Sequence, residues 1–324
     1  MTDGPKPMAL DGLKMYPLAD RKSKVSATDF GSPWQAGGTF KHFLEGLPSI
    51  LAGEDLRVVI SSIATAYREK KSVLLAMGAH VIKVGLNPVI IDLMRRGIIT
   101  GIAMNGAGII HDLEVAMTGQ TSEDVSAALG DGSFGMARET GNFLNDAIRS
   151  ARIGKLGLGH AVGKKILEED LPLKQNSILA SGVERNIPVT VHVAIGTDII
   201  HMHPDFDAEA AGGATHLDFR IFSSMVSSLE DGVYLNVGSA VILPEVFLKA
   251  LSVVRNLGHP VHRFTAVNLD FIRHYRPMTN VVHRPTAEGG KGISLVGHHE
   301  LLLPMIAAGV LDELDLLDFS SGKD

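Results

Sequence analysis

Lys71 to Glu114 reads KSVLLAMGAHVIKVGLNPVIIDLMRRGIITGIAMNGAGIIHDLE, and this stretch decides the fold. Ser72 to Ala76 is a short continuous apolar run, as in a parallel strand covered on both faces, and it leads into Met77-Gly78. Asn87-Pro88 can open a helix, with Pro88 in its first turn and Gly97 ending it. Ile98 to Met104 is the next strand, and Asn105-Gly106-Ala107-Gly108 lets the backbone turn at its carboxyl end. That is the edge at which open α/β sheets bind ligands. Strand, helix, strand, helix, with small residues at each strand exit, is half of a nucleotide-type α/β fold. The Gly-x-Gly spacing alone is too short for a dinucleotide fingerprint.

Outward from this stretch the same alternation continues. Thr39 to Leu51 and Glu54 to Lys70 carry helical periodicity, and Leu56, Val59, Ile60 and Ile63 fall on one face of the second. Phe143 to Arg152, Ala161 to Glu169 and Ser177 to Asn186 predict helices, and Ile187 to Val193 a strand leaving through Ile195-Gly196-Thr197-Asp198. Residues 199–218 pack three histidines and four acids into a segment that reads as a loop. Phe219 to Leu229 is helical, Gly232 to Val237 a strand, Val241 to Leu257 a helix and His262 to Leu269 a strand. Val281 to Thr286 reads as extended, the GGKG around Lys291 as a turn, and Leu301 to Val310 as the last helix. At least five strands separated by helices predict a doubly wound, mainly parallel, Rossmann-like sheet. The Gly- and Pro-rich residues 1–38 read as an N-terminal arm, or as a partly ordered tail. Residues 39–324 read as a single domain, in which the polar, glycine-rich excursion at about 118–160 is a lid-like insertion or an intersubunit element.

Composition narrows the function classes. Of the 324 residues, 45% are hydrophobic and 20% charged, enough apolar material for a substantial core. The formal charge of -6 lacks the basic excess of a nucleic-acid-binding chain. With no cysteine, thiolate metal sites and a cysteine nucleophile are excluded. Asp92, Arg95 and Arg96 interrupt the most apolar tract, so no membrane span is expected, and the cytoplasm is the expected compartment.

Four strand exits taken together resemble the deoxyhypusine synthase family. They are the opening stretch, NIPVTVHVAIGTD, GVYLNVGSAVILPEVFLKAL and the closing GHHELLLPMIAAG. The likeness runs over roughly residues 40–310 in order of elements. It implies a Rossmann-like fold, NAD, transferase chemistry on a small-molecule substrate, and a homotetramer. Carried over by position, the resemblance places NAD contacts at Gly78, Ala79, His80 and Lys83, at Asn105, Gly106, Ala107 and Gly108, at Asp198, and at Gly238 and Ser239. A carboxylate such as Asp198 can hold ribose hydroxyls.

The departures carry equal information. His111 and His203 stand where the family has amine-binding acids, and Arg284, next to His283, falls near the position of its nucleophilic lysine. The Lys-His-His expected after the Gly238 turn is Val241, Ile242, Leu243 here. Arginine stays protonated and cannot form an imine. The pocket's electrostatics are thereby inverted, and a small polar or anionic substrate fits better than a polyamine. His111, His203 and His283 become candidate acid–base groups for hydride transfer, with Arg284 as an anchor. Lys83 is also readable as a solvated helix lysine, and Lys291 either as a replacement for the lost nucleophile or as an exposed turn residue. His298-His299-Glu300 could supply a base with its orienting acid, or form a solvated patch at a helix start. Two other readings stand beside these. His201 and His203 with Asp198 and Asp205 could form the metal site of a hydrolase, and the chain could be a non-catalytic binding protein that kept the fold.

Overall fold

The structure, a computed structural model, describes residues 4–315. Positions 1–3 of the expected arm and 316–324 of the expected domain lie outside the described residues. Six strands form one sheet: β1 (Val73–Met77), β2 (Gly101–Asn105), β3 (Val189–His192), β4 (Val233–Val237), β5 (Thr265–Asp270) and β6 (Lys291–Val296). Every neighbouring pair is parallel, in the order β3-β2-β1-β4-β5-β6. The expected doubly wound α/β fold is the one observed.

The helices are α1 (Phe40–Glu45), α2 (Leu51–Arg68), α3 (His80–Lys83), α4 (Asn87–Arg95), α5 (Gly106–Thr118), α6 (Val125–Ala128) and α7 (Arg138–Gly154). They continue as α8 (Leu158–Glu168), α9 (Ile178–Arg185), α10 (Ala208–Ser227), α11 (Ile242–Asn256), α12 (Tyr275–Pro277) and α13 (His299–Glu313). Both faces of the sheet are covered, which is why every residue of β1 and β4 is buried. Val73, Leu75 and Met77 share a core with Ile63 of α2, Ile90 of α4 and Ile306 of α13. Leu74 and Ala76 point the other way, towards Phe222 of α10 and Phe247 of α11. Full burial of each such large side chain contributes about 1.5–3 kcal/mol.

Three segments differ from the sequence reading. Residues 208–218, expected as loop, form the first half of α10. Asp207 caps that helix at the Ala210 amide (2.9 Å), and Ala210, Ala211, Ala214 and Asp218 make a buried stripe at helical spacing. The charges that suggested a loop lie largely on its exposed face. Val281 to Thr286, expected as extended, instead follows α12 through a π-helical turn, Met278–His283, which buries Val281 and Val282. The strand forms ten residues later, as β6, where a turn around Lys291 was expected. Within 118–160, α7 buries Phe143, Leu144, Ala147 and Ile148, so this part packs as an ordinary core helix. Residues 119–137 are the mostly exposed remainder.

Two buried carboxylates tie helix starts to the sheet region. Asp112 of α5 accepts hydrogen bonds from Ser177 Oγ (2.5 Å) and from the Ile178 (2.8 Å) and Leu179 (3.2 Å) amides, capping α9. Asp218 of α10 accepts from the Gly159 amide of α8 (3.0 Å) and the Val191 amide of β3 (2.8 Å), occupying a donor on the sheet's outer edge. Burial outweighs these hydrogen bonds and pushes Asp112 up to about 6 and Asp218 to about 7. Folded pKa values above the ordinary 3.8 mean that the folded state binds more protons than the unfolded state between roughly pH 4 and 7. These two groups therefore add stability as pH falls through that window and withdraw it as pH rises. Urea melts from pH 7.5 to 5 are expected to show a larger gain in stability for the wild type than for Asp218→Asn. Asp218→Ala, which strands two amides, is expected to cost about 2 kcal/mol or more at pH 7.

Candidate functional site

The carboxyl ends of the six strands carry the chemistry-bearing residues. At the centre, β1 and β4 leave the sheet side by side, and successive connections wind in opposite directions from this point. The Gly78 amide donates to the Val237 carbonyl (2.9 Å), and a Cβ at Gly78 would overlap the Gly238 carbonyl oxygen. Gly238 has a φ of +66°, a left-handed conformation that favours glycine, and a Cβ there would meet His299 Cε1 at 2.7 Å. Backbone packing by itself thus requires both glycines, and the same packing leaves a floor without side chains. Ser239 lies just past this floor, where its Oγ accepts from the Leu243 amide (3.2 Å) at the start of α11.

Towards β3, Asn105 caps α5 by accepting from the Gly108 amide (3.1 Å), and Gly106 begins the helix. A Cβ on Gly106 would run into the Asp198 carboxylate. Asp198 is 8% exposed, and its Oδ2 is buried without a hydrogen-bond partner. Burial raises its pKa to about 6 against the hydrogen bond from the Ala194 amide, so the carboxylate is mainly ionised at neutral pH. A buried acceptor lacking a donor costs free energy. A ligand carrying vicinal hydroxyls would supply that donor.

Towards β5 and β6, the rings of His80, Phe271, His298 and His299 gather. His80 meets Phe271 edge-on at 5.1 Å and His299 at 5.6 Å, and Phe271 lies 4.6 Å from His299 and 5.2 Å from His298. His299 is buried, and its Nε2–H donates to the Leu269 carbonyl (3.3 Å), leaving Nδ1 as a buried acceptor without a partner. Burial lowers its proton affinity. Of the two readings of the His298-His299-Glu300 segment, solvation is wrong for His299.

His111 projects from α5 beside Lys83 of α3. Its Nδ1 lies 2.6 Å from Thr121 Oγ1, and Thr121 in turn donates to Glu114 Oε2 (2.5 Å). Thr140 of α7 donates to the other Glu114 oxygen (3.2 Å). Burial first, and then the Lys83 charge, lowers the His111 pKa to about 4. His203 Nε2 donates to the Gly135 carbonyl (2.9 Å), and the ring packs against Gly141 of α7, where a Cβ would collide with it. Its contacts join the 119–137 segment to α7.

The sequence-derived residues thus fall into two groups. Gly78, Ala79, His80, Lys83, Asn105, Gly106, Ala107, Gly108, His111, Asp198, Gly238 and Ser239 lie at the strand carboxyl ends or in the first turns beyond them. His283 and Arg284 do not. They follow the π-helical turn to the opposite edge, where Arg255, near the end of α11, donates to the Pro285 carbonyl (2.9 Å). Arg284 itself donates to Asn280 Oδ1 (3.1 Å). The expectation that this pair serves the strand-end site is corrected accordingly. Nor do the residues of the suggested metal cluster converge. His201 Nδ1 accepts from the Gly196 amide (3.1 Å), while His203 faces Gly135. No three His, Cys, Asp or Glu residues form a metal-sized group among the described residues. Sequence reasoning missed Glu114, Thr121, Thr140 and Phe271. Only Glu114 left a signal, its i+3 spacing from His111 on one helix.

No protein-family profile matches the chain, and no curated protein does either. Solved structures do. A ternary complex of AgrE with ornithine and NAD+ superposes with a TM-score of 0.53 at 15% identity, over 82% of this chain and 34% of AgrE. The chain therefore spans about a third of AgrE. A conserved LOR/SDH candidate from Methanococcus maripaludis S2 gives 0.50 at 15% identity, over 82% of this chain and 70% of that one. A candidate deoxyhypusine synthase from Entamoeba histolytica gives 0.50 at 12% identity, over 87% and 96%. These likenesses establish the fold that the chain shares with such proteins. No helix among the described residues is long and apolar enough to cross a membrane.

Two measurements check the site as built. Gly78→Ala, forced against backbone, is expected to lose about 1–3 kcal/mol in thermal melts. In an NMR titration, His111 is expected to remain neutral from pH 8 down to 5 and to protonate only near its folded value of about 4.

Proposed function

We propose that this protein is an NAD-binding enzyme that carries out hydride transfer, or related transferase chemistry, on a small polar or anionic substrate, and that it is not a deoxyhypusine synthase. The observation carrying this reading is the buried, unpaired Asp198 Oδ2 against Gly106, at the strand-end edge of a sheet whose winding reverses beside Gly78 and Gly238. Doubly wound sheets bind dinucleotides at that reversal. NAD when bound supplies a hydride acceptor or donor at its nicotinamide carbon.

Asp198 would hold a ribose diol, and the glycine floor would admit the pyrophosphate close to backbone. Phe271 and the rings beside it suit a stacked adenine at the β5–β6 side. That leaves the reacting end beside Asp198, where α5 carries His111. Lys83 adds positive charge there, which favours an anionic or polar substrate over a polyamine, as does a histidine in place of the amine-binding acid. The AgrE likeness, which includes bound ornithine and NAD+, supports a nucleotide reading through shared fold only.

The same reading takes residues 1–38 as an arm, 39–324 as one domain with its lid reduced to 119–137, and the protein as a cytoplasmic homo-oligomer, a tetramer by resemblance. Met8, Leu10, Leu13 and Met15 of the arm are all largely exposed, and apolar side chains so placed gain from burial against another subunit.

Titration with NAD and NADH, followed by calorimetry and nicotinamide fluorescence, tests the proposal. The wild type is expected to bind, and Asp198→Ala to bind at least about tenfold more weakly, since hydrogen bonds to a charged group are each worth about 1.5–3 kcal/mol. A flat wild-type titration would sink the proposal.

A further inference from the structure

The Glu114–Thr121–His111 chain forces one assignment of protons. A threonine hydroxyl has a single hydrogen. Thr121 spends it on Glu114 Oε2 at 2.5 Å, because a carboxylate can only accept. The 2.6 Å contact between Thr121 Oγ1 and His111 Nδ1 must then be donated by the imidazole. The neutral ring therefore carries its hydrogen on Nδ1, and Nε2 keeps its lone pair. Thr140, donating to the second Glu114 oxygen at 3.2 Å, holds the carboxylate in place. Among the described residues no partner engages Nε2.

We propose that Glu114, Thr121 and Thr140 are positioning residues that hold His111 in the Nδ1–H tautomer, so that its bare Nε2 can take a proton from a substrate O–H or N–H. This rests on the NAD reading for the fate of the electrons. The O–H or N–H proton moves to Nε2, and the electron pair left behind becomes the C=O or C=N bond. The adjacent C–H bond breaks, and its hydride is the one NAD accepts. The substrate loses two electrons and NAD gains them.

Two charged groups act on the ring. Lys83 from α3 is the cation facing the ring, and Glu114 on its own helix is the anion. Burial and Lys83 keep the imidazole unprotonated at neutral pH and weaken it as a base. The proposed transfer therefore depends on the Glu114 carboxylate behind Thr121 to stabilise the imidazolium that forms. Thr121 also lies in the 119–137 segment, so the packing of that segment supplies the contact that sets the tautomer.

Long-range 15N–1H correlation spectra of the full chain, labelled at histidine and assigned with His111→Gln, read the tautomer directly. The wild type is expected to show His111 in the Nδ1–H form at pH 7. Thr121→Ser should retain it, whereas Thr121→Val should lose it to a mixture. NAD affinity should be unchanged in both variants. A purely structural threonine would lower thermal stability in Thr121→Val without moving the tautomer, and that result overturns the proposal. So does a wild-type His111 found in the Nε2–H form or protonated at pH 7, a measurement that decides the matter even if Thr121→Val does not fold. Absence of NAD binding would refute the cofactor reading while leaving the tautomer result intact.

Discussion

The backbone contact between Gly78 and Gly238 is the constraint on which the rest depends. Strand β1 lies between β2 and β4, so the turns leaving β1 and β4 must pass each other at one strand spacing. They do so with the Gly78 amide bonded to Val237 and no room for a Cβ at position 78. Everything at the ligand-binding edge is placed relative to this contact. His299 closes over Gly238 on one side, and α5 with Asp198 stands on the other.

The site is polarised along that edge. One end is ring-rich, with Phe271 touching His80, His298 and the buried His299. The other holds the unpaired Asp198 carboxylate and, along α5, the hydrogen-bonded set of His111, Thr121 and Glu114, with Lys83 nearby. Burial governs each end, lowering the proton affinity of His111 and His299 and raising that of Asp198. The same physics acts on Asp112 and Asp218, where backbone amides hold the carboxylates in capping roles. What separates Asp198 from these two is its unpaired oxygen.

Local pattern made much of the fold legible. The apolar run before Gly78, the Asn87-Pro88 helix start and the strand that runs up to Asn105 all read correctly, because their causes lie within a few residues. The errors share one cause. Residues 208–218 are rich in charge, yet Asp207 caps them and alanines bury a narrow stripe, so packing overrode composition. Val281 and Val282 favour a strand by side-chain shape, but they are buried in a helical turn beneath β6. Arg284 is expected at the strand-end site from its place in the sequence, yet the turn that carries it ends on the opposite edge of the sheet.

By itself the sequence determined the alternation of strands and helices and the small residues at their exits, because periodicity and turn chemistry are short-range. Only the tertiary structure decided the strand order, and with it which exits are neighbours. It brought Asp198 against Gly106, more than ninety positions away, and left its Oδ2 unpaired. It joined Thr121 and Thr140 to Glu114, and so determined which nitrogen of His111 carries the proton. Hydrogen bonds between distant segments leave no periodic trace in a chain. The tautomer of a histidine is a property of its neighbours in space.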